Sequence, residues 1–538
     1  MLRRRVLQGG AASLAAAVLE TWRPAWAAAA KRKNGSKRSA GFKRLGAAEP
    51  FDYARLKGMA RIRAARPYKS TAGRLPPAVA HLDWDHWEAI RYRPSHNLWA
   101  GEGLPYEVGF MHLGFHVLKP VRMYTVDDGR AQQIAYDPAM WDYSRAGLKA
   151  RELPANLGFG GLRIFYHTDW IRDVAVFQGA SYFRAVDGDL QYGMSQRGLA
   201  IDTGMAQPEE FPDFVAFYLE RPEKSSNLLT VYALLDSPSV AGAYRFILSV
   251  GDILTMDVDA ALYPRAQIER IGIAPGTSMF YKGENQRNVS EDWRPQIHDS
   301  DGLQIWTGRG EWIWRPLIDP RTVRVSSFLD DGPRGFGLMQ RDRSFGDYQD
   351  DGVFYDKRPS VWVEPKGSWG SGAVMLVEIP TRDETMDNIV AFWTPERKPQ
   401  RGEELLYAYR LYWSRSNPVG LKTLARTGAT RTGIGGIIGQ PRKYFSWRFV
   451  IDFFGGDLPL LTDTDKVTPV ITASRGRVEI TSARPLKPLN GWRAMFDLVP
   501  DASTDPIDLR LYLSYQGQPL TETWIYQYAP PPLAQRRF

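Results

Sequence analysis

Along most of this chain apolar and polar residues alternate in short runs, and turn residues interrupt them every few positions. Near the end, Leu509, Leu511 and Leu513 alternate with Arg510 and Tyr512, Gln516-Gly517-Gln518 turns the chain, and Thr523–Tyr528 returns. A period of two puts one set of side chains on a buried face and the other outside, which predicts strands. The run from Phe115 to Val126 meets Asp127-Asp128-Gly129 and reverses through Ala131–Tyr136. Leu303–Trp306, Gly308-Arg309-Gly310 and Trp312–Leu317 repeat the pattern. Glycine turns between apolar runs predict hairpins. Helical spacing is scarce: Leu56, Met59, Ala60 and Ile62 predict one amphipathic helix within Phe51–Ala65. Many short strands with frequent turns predict an all-β protein made of sandwiches rather than a parallel sheet.

One segment is polar for long enough to divide the chain. Pro395-Glu396-Arg397-Lys398-Pro399-Gln400-Arg401-Gly402 separates a strand ending in Trp393 from a new run, Leu405–Trp413. It predicts a large sandwich domain over 51–395 and a smaller one over 402–538, the second being of immunoglobulin-like size. The sequence contains no repeat of solenoid or propeller period.

The start of the chain reads as a leader. Arg3-Arg4-Arg5-Val6-Leu7 fits a twin-arginine pattern, a weakly apolar stretch runs from Gly9 to Leu19, and Ala25-Trp26-Ala27 offers a small-x-small cleavage site. The stretch is too short to span a ~30 Å bilayer. Residues 1–27 are therefore expected to be a signal peptide, 28–50 a basic flexible segment, and the periplasm the compartment. Charge supports that division. The first 50 residues carry eleven Lys or Arg against two Glu, and the whole chain is +9, so residues 51–538 are neutral. A neutral body has no footprint for nucleic acid and suits a neutral polymer. With no cysteine, disulfides, thiolate metal sites and cysteine nucleophiles are all excluded.

Several familiar motifs fail. Gly433-Ile434-Gly435-Gly436-Ile437-Ile438-Gly439 is glycine-rich, but Pro441 follows where a nucleotide-binding helix would begin. His112 and His116 sit four apart in strand-like sequence, which separates them by ~13 Å. No metal or cofactor is expected. Carboxylates are the better candidates, in His298-Asp299-Ser300-Asp301-Gly302 and in the stretch from Glu378 through Asp383, Glu384 and Asp387 to Asn388. Glycoside cleavage needs a carboxylic acid to protonate the leaving oxygen and a base to activate water. Turn-forming aspartates are the plainer reading of either cluster. The 18 tryptophans divide between sandwich core and sugar groove, with about six expected in the groove, Trp306, Trp312 and Trp393 among them.

Longer stretches carry a resemblance. Val361-Trp362-Val363-Glu364-Pro365, Trp369-Gly370, Val377-Glu378-Ile379-Pro380 and Asp387-Asn388-Ile389-Val390-Ala391-Phe392-Trp393 closely resemble the osmoregulated periplasmic glucan biosynthesis proteins of the G and D type. So do Phe51-Asp52-Tyr53, Tyr68 and Ile90-Arg91-Tyr92-Arg93. The twin-arginine start resembles the D branch, and the similarity covers essentially the whole chain after the leader. The resemblance implies an N-terminal sandwich of the galactose-mutarotase kind and a C-terminal immunoglobulin-like one. It implies β-1,2-glucan as ligand and inverting cleavage, by hydrolysis or by transfer of the chain. Asp387 matches the family's general acid, and Glu384 matches its pattern three residues earlier. Asp299 or Asp301 stands on the water side, the proton route being indirect. Tyr355 is expected to orient sugar hydroxyls; Asp452 either reaches over the cleft or is structural. The membrane glucan synthase and a second copy of the chain are further candidate partners. The alternative function is a glucan-binding accessory protein without catalysis.

Overall fold

The computed structural model describes residues 42–70, 75–286 and 291–538. The leader and its cleavage motif lie outside the described residues. What is described is all-β. Two large sheets face each other. One has ten strands and runs from Arg324–Asp331 at one edge through Ser371–Glu378, Ile389–Pro395 and Ile271–Ser278 to Tyr106–Met111 at the other. Its central strands are buried on both faces, which is why 389–393 and 373–377 read as unbroken apolar runs instead of alternations. The second sheet has sixteen strands; Leu254–Pro264, Leu405–Ser414, Ser360–Lys366, Gly335–Met339, Gly302–Trp306 and Trp312–Pro316 follow one another across it. Leu303, Phe336, Val361 and Trp413 from this sheet share one core with Val374, Leu376, Ala391 and Trp393 from the other.

The expected helix forms over Tyr53–Ala64, with the Asp52 side chain capping it by accepting from the Arg55 N–H at 2.7 Å. Only Leu56 and Ala60 are buried. Met59 and Ile62, expected on the same face, are 40% and 56% exposed, because the helix rests on a flat sheet along a narrow stripe. The hairpins also form, over Arg122–Asp127 with Arg130–Ile134 and over Gly302–Trp306 with Trp312–Pro316. Residues 115–121, expected to extend the first of these, lie outside its strands.

The C-terminal body packs Arg426–Ile434, Trp447–Phe454, Gly491–Val499 and Arg477–Leu486 as a four-stranded sheet over Thr468–Ala473, Ile507–Tyr515 and Thr523–Tyr528. Phe449, Phe496, Leu511 and Trp524 fill the space between. Two findings revise the division drawn from sequence. Leu405–Ser414 lies beyond the polar 395–402 segment, yet it pairs with Leu254–Pro264 on one side and Ser360–Lys366 on the other. It is a central strand of the first body, so the chain crosses to the second only after Ser414. The two bodies also share a sheet, since Thr523–Tyr528 pairs in parallel with Trp312–Pro316. Beside that seam Arg341 donates to buried Glu522 and to the Thr427 carbonyl, and its guanidinium stacks 3.5 Å from the Trp314 ring centre. The seam sits next to the acidic cluster that follows His298.

Candidate active site

Phe280 is the hub about which the site is built. On one side it pairs with His298 across a short antiparallel ladder. On the other, Asn388 accepts from the Phe280 N–H at 2.8 Å and donates to the Phe280 carbonyl at 2.9 Å. The same amide donates to the Ile379 carbonyl, and the Ile379 N–H returns to the Asn388 carbonyl, closing the base of the 380–387 loop. Asp299 and Asp387 are each one residue beyond these two anchors. Their backbones therefore stand about two strand spacings apart, ~10 Å, across a rigid strand.

Asp387 is buried in polar surroundings. The residue is 7% exposed. Burial pushes the Tyr182 hydroxyl up to about 12, with Glu209 and Asp387 adding to the effect. Burial would lower Arg197, but Glu209, Tyr182 and Asp387 outweigh it and hold the guanidinium above its ordinary value. Arg197 is already spent on Glu209, to which it donates at 2.6 Å, so it balances that acid first.

Glu384 belongs to a separate, ionised network. It accepts from the Tyr355 hydroxyl at 2.5 Å and from Arg294 at 2.8 and 3.1 Å. Arg294 also grips Asp292 and Asp350. Both oxygens of Glu384 are thus taken up by three donors, an arrangement that suits positioning and binding. Tyr355 connects this network to Asp299, because Arg358 lies 4.3 Å from its ring centre and donates to Asp299 Oδ1. Asp299 is wholly buried, and its second oxygen, Oδ2, has no donor among the described residues. That atom is an acceptor in need of a proton donor.

Asp301 faces elsewhere. Its carboxylate accepts from the Arg341 N–H at 3.1 Å and lines a cavity of about 20 Å³ with Asp342, Glu284 and His298, enough for a water molecule and too small for a sugar ring. Burial pushes Asp301 up to about 6, against the pull of Arg341, and burial together with Asp301 pushes Asp342 well above its usual range. The sign of the linkage follows. The folded chain holds this proton more tightly than the unfolded chain, whose aspartates titrate near ~3.9, so the stabilisation is present below that pH and is lost as pH rises through about 6. Asp301→Asn should therefore gain stability over the parent at pH 7.5 and not at pH 4. Urea midpoints measured at both pH values test this; equal differences at the two would count against it.

Of the expected groove aromatics, Trp393 is fully buried in the first body's core and cannot meet a sugar. Trp312 is also buried, stacked between Trp306 at 4.8 Å and Trp362 at 5.7 Å. Trp306 is half-buried and capped by Arg334. Three of the partly exposed tryptophans, Trp84, Trp306 and Trp447, sit in three different aromatic clusters, not along one groove. Trp293, 72% exposed and next to Arg294, is the aromatic that sequence reasoning passed over. Asp452 is buried and bound by Arg493 at 2.6 Å and Arg431 at 2.8 Å. Arg431 links it to the first body, reaching Glu284 at 3.0 Å. Arg358, Arg294 and Arg197 were likewise missed. Arg358 lies three residues after Tyr355, which was singled out, whereas nothing in the sequence around Arg197 singles it out.

A family profile described as "Periplasmic glucan biosynthesis protein, MdoG" matches residues 51–528. The chain belongs to this family. It is 57% identical to glucans biosynthesis protein D of Stenotrophomonas maltophilia strain R551-3, over 99% of this chain and 98% of that protein. It is also 57% identical to the protein of that name from Xanthomonas axonopodis pv. citri, over the full length of both. The Xanthomonas oryzae pv. oryzae protein of the same name is 56% identical, over 100% of this chain and 99% of its own length. The matched residues, 51–528, span both bodies. Among the described residues, no helix is long and apolar enough to cross a membrane.

Proposed function

We propose that this member of the periplasmic glucan biosynthesis family cleaves β-1,2-glucan with inversion, acting in the periplasm after twin-arginine export. One observation carries the reading: two buried acids, Asp387 and Asp299, are anchored on opposite sides of one strand, and the acid between them in function, Glu384, is committed to binding. Asp387 gives its proton to the glycosidic oxygen as the bond from that oxygen to C1 breaks. Water adds to C1 from the opposite face. Its proton passes through sugar hydroxyls and intervening water to Asp299 Oδ2, the acceptor with no donor among the described residues. The products are a chain with a free, inverted C1 hydroxyl and a chain with the leaving hydroxyl; a sugar hydroxyl in place of water makes the same step a transfer. Exchange with solvent then returns the protons to Asp387 and from Asp299.

Tyr355 and Glu384, fixed by Arg294, offer a polar wall for sugar hydroxyls, and the exposed indole of Trp293 offers a flat apolar face for a ring. Linear β-1,2-glucan incubated with the purified protein should shorten, and the first-formed anomer, followed by NMR or polarimetry, should be the inverted one. Binding without any change in chain length would leave the accessory role in its place.

A further inference from the structure

A second cavity opens where the chain crosses from one body to the other. It encloses about 260 Å³, against about 20 Å³ beside Asp301. Met339 and Arg341 line it from the first body, Arg426 and Phe454 from the second, and Arg415 and Lys422 from the segment that joins them. Asp387, Asp299, Glu384 and Trp293 are not part of its wall.

That wall is charged in one sense only. Arg341, Arg415, Lys422 and Arg426 line it, with no Asp or Glu beside them among the described residues, although acids and bases balance over residues 51–538. Like charges gathered in one place repel one another. Two of the four are answered from behind the wall: Arg341 is bonded to Glu522 at 2.5 Å, and Arg415 to Asp189. Lys422 and Arg426 reach solvent and have no carboxylate within ion-pair distance among the described residues. Partial desolvation and the Arg341 guanidinium both lower the pKa of Arg426, with Glu522 pulling against them. Lys422 also sits in the left-handed backbone region, φ 54°, which a lysine occupies only under constraint.

The charge count narrows the ligand. Two unanswered cations match two negative charges. A carboxylate or a phosphodiester brings one, whereas a phosphate monoester carries nearly two at neutral pH and can accept from a guanidinium and an ammonium together. Leu421, Leu424 and Phe454 complete the wall with apolar faces, which suits a ligand with a carbon skeleton. We infer that this cavity binds a small organic phosphate monoester, its phosphate held between Lys422 and Arg426 and its carbon skeleton against Leu421, Leu424 and Phe454. Seated there, the ligand touches both bodies and the segment between them, and so fastens one to the other.

Glucose 6-phosphate is a convenient probe, with inorganic phosphate to show what the ion does alone and glucose to offer the same ring without the charge. In calorimetric titrations of the mature chain at constant ionic strength, which holds general screening fixed, glucose 6-phosphate should bind and raise the melting temperature. Inorganic phosphate should bind more weakly, and glucose not at all. Lys422→Gln and Arg426→Gln should each weaken binding by ~10-fold or more, the worth of one charge-assisted bond. Lys466→Gln, exposed and outside the cavity, should leave it unchanged. Neither Lys422 nor Arg426 is paired within the protein, so both variants should melt like the unliganded parent, and lost binding will not reflect lost folding. Failure of the parent to bind glucose 6-phosphate at millimolar concentration, binding that survives the double variant, or binding of glucose itself would each overturn the proposal. Inorganic phosphate binding as tightly as the ester would overturn the role given to the apolar wall.

Discussion

Asp387→Asn should lower the rate of β-1,2-glucan cleavage by ~10²–10⁴, the usual worth of a positioned general acid, while glucan is still bound. The amide keeps the shape of the side chain and can still donate a hydrogen bond, but it carries no acidic proton to give to the leaving oxygen. The clamp that Asn388 places on Phe280 and Ile379 is untouched, so the loop keeps its base. Loss of chemistry with binding retained marks a group that acts in the transition state. Rates of reducing-end release and a titration of glucan binding on the same preparation measure both. Equal losses of binding and rate would make Asp387 a loop residue, and an unchanged rate would remove it from the reaction.

Arg358→Met is expected to be among the most destabilising single changes in the first body. It leaves Asp299, wholly buried, without the cation that now neutralises it, a situation that costs ~3–5 kcal/mol. Adding Asp299→Asn should restore most of that stability, because a buried amide does not need a counter-ion. It should not restore cleavage, since an amide cannot accept the water's proton. Denaturant melts and glucan assays on the two variants separate the folding role of the pair from its chemical one. An Arg358→Met chain as stable as its parent would refute the first half, and a double variant that cleaves glucan would refute the second.

How much of this was legible in the sequence depends on whether the signal is local. Alternation and turn chemistry are local, so the hairpins, the capped helix and the all-β class could be read directly. The 395–402 segment misled because a turn between two strands of one body has the same polarity and prolines as a linker. What distinguishes them is the pairing of Leu405–Leu411 with residues more than a hundred positions earlier. Trp393 misled for a related reason: an apolar run ending in an aromatic does not say whether a second sheet will cover it. Asp299 and Asp301 are two residues apart in one turn and look equivalent. They are separated by Arg358, 59 residues away, which takes the first, and by the neighbouring Asp342 and Arg341, which enclose the second.

The parallel pairing of Thr523–Tyr528 with Trp312–Pro316 bears on when the molecule becomes complete. Glu311 and Thr523, joined by a 2.6 Å hydrogen bond beside that pairing, are 212 residues apart in the chain. While the protein is being synthesised, the Trp312 strand has no neighbour on that side until Thr523–Tyr528 leaves the ribosome. The first body thus waits, one sheet edge open, for Thr523–Tyr528 to arrive. A chain cut short anywhere before Thr523 would keep that edge exposed and lose Glu522 from its bond with Arg341, so truncation should give an adhesive fragment and not a smaller working protein. An export route that carries only finished proteins would spare the cell from releasing such fragments.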